Sequence, residues 1–364
     1  MEFIDLKAQY NLIEDKINQR IAKVLQEGNY IMGPEVFELE KRLAEFCGAK
    51  HCITCGNGTD ALQMSLMALD IGYGDEVITT AFSFFATAEV IALVGATPVF
   101  VDIDKHTYNI DATLIEDKIT KKTKAIIPVS LFGQCADMDR INDIAKRHNL
   151  PVIEDAAQSF GATYKGRKSG NLSTIGCTSF FPAKPLGCYG DGGACFTNDD
   201  DLAERLNSIK LHGKGKDKYV NLRVGLNSRL DTLQAAILLE KLTIFPKELI
   251  ARQSVANNYD SLLKNTLKTP HINIENQSSW AQYALFSSDR NMHISQLKVK
   301  KIPSAVYYPI PLHKQTAMKQ FVSHHSFPVA EMTADSIFSL PMHPYLTSKD
   351  CEKVTQQLLP HIPR

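Results

Sequence analysis

The first half of the chain alternates short apolar runs with longer stretches of helical periodicity. Each apolar run has the length of a buried strand. The pattern predicts strands over 51–55, 76–80, 98–101, 125–129 and 152–153, and helices over 60–69, 85–94 and 138–148. Strands separated by helices are typical of a mainly parallel sheet between two helical layers. In such a sheet, ligands bind beyond the carboxyl ends of the strands.

This alternation ends around Phe245 and Pro246. A long helical stretch over 247–263 leads into a region of mixed short strands and helices. We therefore predict a large α/β domain over 1–245 that carries the ligand site, and a smaller α+β domain over 246–364.

Charge and hydropathy exclude several classes of protein. The 364 residues include forty basic and forty acidic side chains, so the formal net charge is zero. This balance lacks the basic surface of a nucleic-acid-binding protein. The first residues form no apolar leader, and no apolar run is long enough to span a bilayer. We expect a cytoplasmic protein without nucleic-acid or membrane partners.

Cys52 and Cys55 match the CxxC spacing of redox and metal sites. No second pair follows at the spacing of a zinc site. Without an export signal, the eight cysteines of the chain are expected to be reduced thiols. We interpret the pair as small side chains in a buried strand and predict no metal site.

The segment 56–60 (GNGTD) follows the first predicted strand and opens a helix. Gly58 allows a ligand to approach the backbone closely, and the free amides at a helix start favour a phosphate. With Ala61 the segment also spells GxGxxA, the dinucleotide fingerprint. A simple turn, a mononucleotide-type phosphate site and a dinucleotide site all remain open. An NAD-dependent oxidoreductase is disfavoured, because the expected acids, Asp75 and Glu76, precede a strand instead of ending one.

A second polar segment, 154–158 (EDAAQ), ends the buried strand over 152–153. A carboxylate at this position is costly to bury unless it meets a cation or hydrogen-bond donors. Asp155 is therefore either the N-cap of a helix or a carboxylate that faces a protonated heterocyclic nitrogen.

The third segment, 179–193 (SFFPAKPLGCYGDGG), places Lys184 among apolar residues. Pro185 disfavours helix at Lys184, so the side chain is displayed from a turn or an extended segment. Desolvation lowers the pKa of an amine, as a Schiff-base nucleophile requires. A solvated loop lysine is the alternative. Together, the three segments supply a phosphate cradle, an acid for a ring nitrogen and a reactive amine, which are the groups that pyridoxal phosphate needs from a protein.

These segments resemble those of the DegT/StrS-type nucleotide-sugar aminotransferases, which have the aspartate aminotransferase (fold type I) architecture. The resemblance extends from 3–6 (FIDL) to 339–344 (SLPMHP). It implies that Lys184 forms the Schiff base with pyridoxal phosphate and then moves the proton, and that Asp155 pairs with the pyridine nitrogen.

The resemblance also implies roles for further residues of the site. Gln158 would bind the phenolic oxygen of the ring, and Phe84 would stack on the ring, unless it is a core residue. The phosphate would be held by Gly58, Thr59 and Ser179, with Asn227 reaching the phosphate of the neighbouring subunit in a homodimer. As an alternative, Asn227 caps the helix that begins near Asp231.

The sequence of these motifs most resembles that of a subgroup that aminates C3 of UDP-2-acetamido-2-deoxy-3-oxo-glucuronate. The resemblance implies L-glutamate as the amino donor and a role in making bacterial surface polysaccharides such as O-antigen. Arg229 suits a substrate or donor carboxylate, or a structural ion pair. His313 is expected near the substrate or on the surface. This chain has Tyr307-Tyr308-Pro309 where the subgroup has His-Tyr-Pro. The resemblance implies that Tyr307 and Tyr308 bind the substrate, with Tyr307, a neutral donor, in the place of the histidine. An uncharged nucleotide-linked keto sugar therefore competes with the uronate.

Overall fold

The computed structural model describes residues 1–217, 219–322 and 326–358. The helices are α1 (Leu6–Glu27), α2 (Pro34–Cys47), α3 (Gly58–Ala68), α4 (Ala86–Leu93), α5 (Met138–Arg147), α6 (Asp200–Ile209), α7 (Thr232–Leu263), α8 (Arg290–Val299), α9 (Pro328–Ser336) and α10 (Ser348–Thr355). The strands are β1 (His51–Cys55), β2 (Glu76–Thr80), β3 (Thr97–Val101), β4 (Thr123–Ile127), β5 (Ile153–Asp155), β6 (Thr163–Tyr164), β7 (Arg167–Lys168), β8 (Ile175–Ser179), β9 (Gly193–Thr197), β10 (Asn276–Gln277), β11 (Tyr283–Phe286) and β12 (Ile337–Leu340). Every strand and helix predicted for the first 155 residues is present, with bounds that differ by a few residues.

The main sheet has the order β3-β2-β4-β5-β8-β9-β1. Its two halves are joined by parallel bridges from β4 and the residues after it to β5, such as Val129 to Asp155. Strand β9 is antiparallel to both of its neighbours, and the other strands are parallel to one another. The prediction of a mainly parallel sheet is therefore confirmed.

The carboxyl ends of the parallel strands meet at one edge of this sheet. Cys55 ends β1, Asp155 ends β5 and Ser179 ends β8. Because β9 runs in the opposite direction, its first residue, Gly193, lies at the same edge and pairs with both Cys55 and Ser179. This edge is where the three segments singled out in the sequence come together.

Helices cover both faces of the sheet. Alternate residues of β1 enter different cores: Ile53 and Cys55 pack with α3 and α6, whereas Cys52 packs with α2 and the first half of α7. Residues that lie three apart in a strand point to opposite faces, so Cys52 and Cys55 cannot act as a CxxC pair. Within the described parts of the chain, no group of three or more potential ligands is placed to hold a metal ion.

Helix α7 continues through Pro246, where the sequence pattern suggests an interruption. Its first half packs with the main sheet through Leu238 and Phe245, and its second half packs with β11 and β12 through Val255 and Tyr259. The packing on both sides offsets the cost of a proline inside a helix, about 3 kcal/mol. The proposed domain boundary at 245 thus lies within one helix that serves two cores, and it stays a prediction.

The N-terminal helix α1 packs along α7, and the Gln9 amide donates to the buried Glu248 carboxylate at 2.9 Å. No helix among the described residues is long and apolar enough to cross a membrane.

Candidate active site

A cavity of about 570 Å³ opens at the carboxyl edge of the main sheet. This volume is typical of a small-molecule site. The lining includes most of the residues predicted from the sequence: Gly58, Thr59, Phe84, Asp155, Gln158, Ser179, Lys184, Tyr307 and Tyr308.

One end of the cavity is built to receive an anion. The Asn57 side chain caps α3 by accepting from the amide of Asp60 at 2.8 Å, and the amides of the next residues begin the helix. A Cβ atom at Gly58 would lie 2.6 Å from the Ser179 Cβ. A Cβ at Gly193 would lie 2.4 Å from the Asn57 carbonyl carbon. Only glycine allows this close approach, which brings the positive end of α3 beside the Ser179 hydroxyl.

Asp155 lies at the base of the cavity and is 5% exposed. Its Oδ2 accepts from the Thr87 hydroxyl at 2.8 Å, and its Oδ1 accepts from the Ala157 amide at 3.1 Å. Burial raises the pKa of this carboxyl, whereas these two donors and the nearby Lys184 ammonium lower it. No helix begins after Asp155, so the interpretation as an N-cap is wrong.

Lys184 enters the cavity from a turn, in which its amide donates to the Phe181 carbonyl at 2.9 Å. Burial lowers the pKa of the Lys184 amine, and the Asp155 carboxylate partly offsets this effect. A lowered pKa increases the fraction of neutral amine, which is the nucleophilic form. Lys184 is half-buried and lines the cavity, which argues against its interpretation as a solvated loop lysine.

Gln158 and Tyr308 form a pair on the cavity wall. The Gln158 side-chain carbonyl accepts from the Phe132 amide at 3.0 Å, which leaves its NH₂ group to donate to the Tyr308 hydroxyl at 2.9 Å. Phe84 is 56% exposed, so it is not a core residue. Its ring centroid lies 6.0 Å from that of Tyr308, at the mouth of the same cavity.

Three predicted residues lie outside the cavity lining. Asn227 is exposed and pairs with Leu211 in a bridge; it does not cap α7, whose N-cap position is Asp231. Arg229 has no carboxylate within ion-pair distance among the residues described, so the structure gives it no ion pair within the subunit. His313 is buried, and its Nε2 lies 3.1 Å from the Glu331 carboxylate, so it is not a surface residue.

The sequence did not reveal Ser83, Thr87, Asp191 or Gln282 as site residues. Ser83, Asp191 and Gln282 line the cavity, and Thr87 contacts Asp155 directly. The buried side-chain oxygen of Gln282 has no hydrogen-bond partner in the described chain, which suits a residue that contacts a ligand. Ser83 and Thr87 lie close to the predicted Phe84 in the sequence, and Asp191 lies within the segment 179–193, so these positions offered a signal, whereas Gln282 offered none.

The arrangement fits pyridoxal phosphate. The phosphate has the α3 start and the Ser179 hydroxyl, the ring nitrogen has a buried carboxylate, and the aldehyde has a desolvated amine. The fold and these three groups together define a pyridoxal phosphate-dependent enzyme of fold type I.

The chain belongs to the DegT/DnrJ/EryC1/StrS aminotransferase family, whose sequence pattern matches residues 11–359. The predicted enzyme class, a pyridoxal phosphate-dependent sugar aminotransferase, is confirmed. The interpretation of 56–60 as a dinucleotide site is therefore wrong.

Two curated relatives and one solved structure place the chain more closely. It is 58% identical to UDP-2-acetamido-2-deoxy-3-oxo-D-glucuronate aminotransferase of Pseudomonas aeruginosa, over 95% of this chain and 96% of the relative. It is 42% identical to dTDP-3-amino-3,6-dideoxy-alpha-D-galactopyranose transaminase of Aneurinibacillus thermoaerophilus, over 97% of each chain. A DegT/DnrJ/EryC1/StrS aminotransferase from Brucella abortus is 50% identical and covers 98% of each chain with a TM-score of 0.94.

Proposed function

We propose that this enzyme moves the amino group of L-glutamate to the C3 ketone of a nucleotide-linked sugar, UDP-2-acetamido-2-deoxy-3-oxo-glucuronate. The observation that carries the proposal is the meeting of Lys184 and Asp155 in one cavity, in a chain 58% identical to the Pseudomonas aeruginosa enzyme of that name. The product is a 3-amino sugar for a bacterial surface polysaccharide such as O-antigen, made in the cytoplasm.

Bound pyridoxal phosphate supplies an electron sink for the carbanion that forms when a substrate loses its α-proton. The protein residues hold and move protons around it. Asp155 keeps a proton on the pyridine nitrogen, because a buried carboxylate favours a cationic partner. The Lys184 amine takes the proton from the α-carbon of the donor and later delivers a proton to C3 of the sugar. Such positioned proton transfer contributes ~10²–10⁴ in rate.

The remaining lining residues bind and orient. The α3 start and Ser179 would hold the phosphate of the cofactor, and Phe84 would contact its ring. The Phe132 amide fixes the orientation of the Gln158 side chain, so the Gln158 NH₂ group donates to the Tyr308 hydroxyl. The Tyr308 hydroxyl accepts from Gln158 and keeps its own proton to donate to a ligand.

One observation favours an uncharged 3-keto sugar as a second candidate. Lys184 is the one cation among the described lining residues, which include the carboxylates of Asp60, Asp155 and Asp191. Tyr307, a neutral group, occupies the place of the subgroup's histidine. A uronate would need a cation from elsewhere, and Arg229 of a second subunit would supply it. The Aneurinibacillus relative shows that the family includes an enzyme named for a 6-deoxy sugar.

The substrate is tested by a turnover assay with L-glutamate and UDP- or dTDP-linked 3-keto and 4-keto sugars, with mass detection of the amine. We expect amination of the UDP-linked 3-keto uronate, and none with a Lys184→Ala control. Higher turnover with an uncharged 3-keto sugar would assign the second candidate. Amination of 4-keto sugars alone would overturn the proposed position of the new amine.

We further propose that the enzyme is a homodimer whose sites are shared, with Asn227 and Arg229 serving the neighbouring subunit. The test mixes two inactive variants, Lys184→Ala and Asn227→Asp, after joint unfolding and refolding. A shared site regenerates about a quarter of the activity, because half of the random dimers contain one intact site. No recovery, with mixed dimers demonstrated by mass, would place Asn227 in its own subunit's chemistry.

A further inference from the structure

Three buried side chains form a hydrogen-bonded line behind the cavity. The Ser83 Oγ lies 3.1 Å from the Thr87 Oγ1, and the Thr87 hydroxyl donates to the Asp155 Oδ2 at 2.8 Å. Their exposed fractions are 3%, 0% and 5%. Ser83 also lines the cavity, so the line runs from the cavity wall to the carboxylate.

The direction of the protons follows from the chemistry of the three groups. An ionised carboxylate can only accept, so the single proton of Thr87 points to Asp155. The Thr87 oxygen is then free to accept the proton of Ser83. Both hydroxyl dipoles therefore point toward the carboxylate, and a hydrogen bond to a charged group is stronger than one between neutral groups.

This contact fixes the orientation of the Asp155 carboxylate. The other oxygen, Oδ1, accepts from the Ala157 amide, so each oxygen has one donor held by the fold. The titratable groups that face Asp155 are Lys184, Cys177 and Tyr308. Of these, only Lys184 favours the ionised carboxylate, which leaves Thr87 and Ala157 as the neutral groups that stabilise it.

Packing alone does not require a hydroxyl at position 87. In the interior of a helix, a threonine hydroxyl commonly returns to the carbonyl four residues earlier, but Thr87 lies in the first turn of α4 and has no earlier turn behind it. Here it instead contacts β5, across the cavity base. A valine would fill the same space without the donor.

We propose that Thr87, supported by Ser83, is a positioning residue that holds Asp155 ionised and oriented toward the ring nitrogen of pyridoxal phosphate. This inference rests on the cofactor assignment of the proposed function and is independent of the identity of the sugar. It extends the site to two side chains that do not contact the reacting carbon.

The test compares Thr87→Val, Thr87→Ser and Ser83→Ala with a control, Thr79→Val. Thr79 is also fully buried, but its hydroxyl donates to the Ile127 carbonyl at 2.8 Å and not to Asp155. The full-length apoenzymes are titrated with pyridoxal phosphate across a range of pH, and binding and the visible spectrum are recorded. The unfolding of each apoenzyme by urea reports whether it is folded.

We expect Thr87→Val to raise the dissociation constant of pyridoxal phosphate by about tenfold to a hundredfold near pH 7. Loss of the donor favours the protonated carboxyl, so the acid limb of the binding profile moves up by about one pH unit. Thr87→Ser is expected to restore the dissociation constant and the acid limb to their wild-type values. Ser83→Ala is expected to change both quantities in the same direction as Thr87→Val, but less. Thr79→Val is expected to leave both quantities unchanged.

Wild-type affinity and pH profile in Thr87→Val would overturn the inference, and so would equal changes in Thr87→Val and Thr79→Val. If Thr87→Val does not fold, an unshifted profile in Ser83→Ala has the same consequence. Failure of the sugar assay alone leaves this inference intact. If the wild-type enzyme shows no visible band with pyridoxal phosphate, the proposed function and this inference both fail. If the wild type shows the band and the Thr87→Val profile is unchanged, only this inference fails.

Discussion

The Lys241 ammonium of α7 donates to the Gly187 carbonyl at 2.7 Å, in the loop that carries Lys184. Lys241 is fully buried and has no carboxylate at ion-pair distance within the described chain; its ammonium lies 4.0 Å from the ring centroid of Tyr189. Two turns earlier on the same helix, the Gln234 side chain accepts from the Tyr189 amide at 2.8 Å. Helix α7 thus holds the loop from behind with two side chains.

Lys241→Met is predicted to change the pH dependence of stability. Burial lowers the pKa of Lys241 from 10.5 to about 8. Between these values the unfolded chain carries the proton and the folded chain does not, so the free energy of unfolding rises with pH in this window. The variant loses this rise. Urea unfolding of both proteins at several pH values from 7 to 10 gives the difference, in which the other titrating groups cancel. If the free energies of unfolding of the two proteins change in parallel from pH 7 to 10, Lys241 does not titrate in this range.

Lys184→Ala is predicted to abolish turnover and the visible band of the bound coenzyme. The side chain is the one amine in the described cavity lining, so no other lining group can replace it. The loss should exceed the ~10²–10⁴ of a general acid–base residue, because the role includes covalent chemistry. Single-turnover assays and absorption spectra measure both effects. Persistence of turnover and band together would remove Lys184 from the mechanism.

Gly58→Ala is predicted to weaken coenzyme binding at the phosphate end. The new Cβ would approach the Ser179 Cβ to 2.6 Å, so the α3 start and β8 must separate. We expect the dissociation constant of pyridoxal phosphate to rise at least about tenfold, as for the loss of one good hydrogen bond. Gly72→Ala is the matched control, since its Cβ would meet only the Val94 carbonyl oxygen at 3.5 Å. Equal affinity of both variants would argue against a phosphate at this position.

His313→Gln is predicted to affect stability and not the KM for substrate. The side chain is buried against the Phe327 ring and pairs with Glu331, outside the cavity. Burial lowers the pKa of His313, with Glu331 partly offsetting this, so its contribution to stability is present above pH ~6.5 and is lost as the pH falls. We expect destabilisation of about 1–2 kcal/mol near neutral pH and less in acid. A raised KM with unchanged stability would return His313 to the substrate site.

The elements of the sheet follow from the local sequence, and their arrangement does not. The apolar runs of β1, β2 and β4 are buried whichever way the chain is connected, so their pattern predicts them. Strand β9 was not predicted from the sequence, and neither was its direction, antiparallel to β8 and β1. That direction depends on the return of the chain through the Lys184 loop.

The same distinction applies to the site. Lys184 and Asp155 were predictable because a charged group beside apolar residues needs a reason to be there. Lys241 shows the same signal within apolar neighbours of α7, yet it supports a loop instead of reacting. Thr87 gave no signal of its own, because it lies on α4 and its partner Asp155 lies on β5, and only the folded chain brings them together.

The close contact between Gly58 and Ser179 joins the start of the first βα unit to a strand more than a hundred residues further along. Neither segment alone provides a complete binding site for the coenzyme. Affinity for a vitamin B6 derivative can therefore arise during refolding only once this long-range closure has formed, and the coenzyme becomes a reporter of that closure.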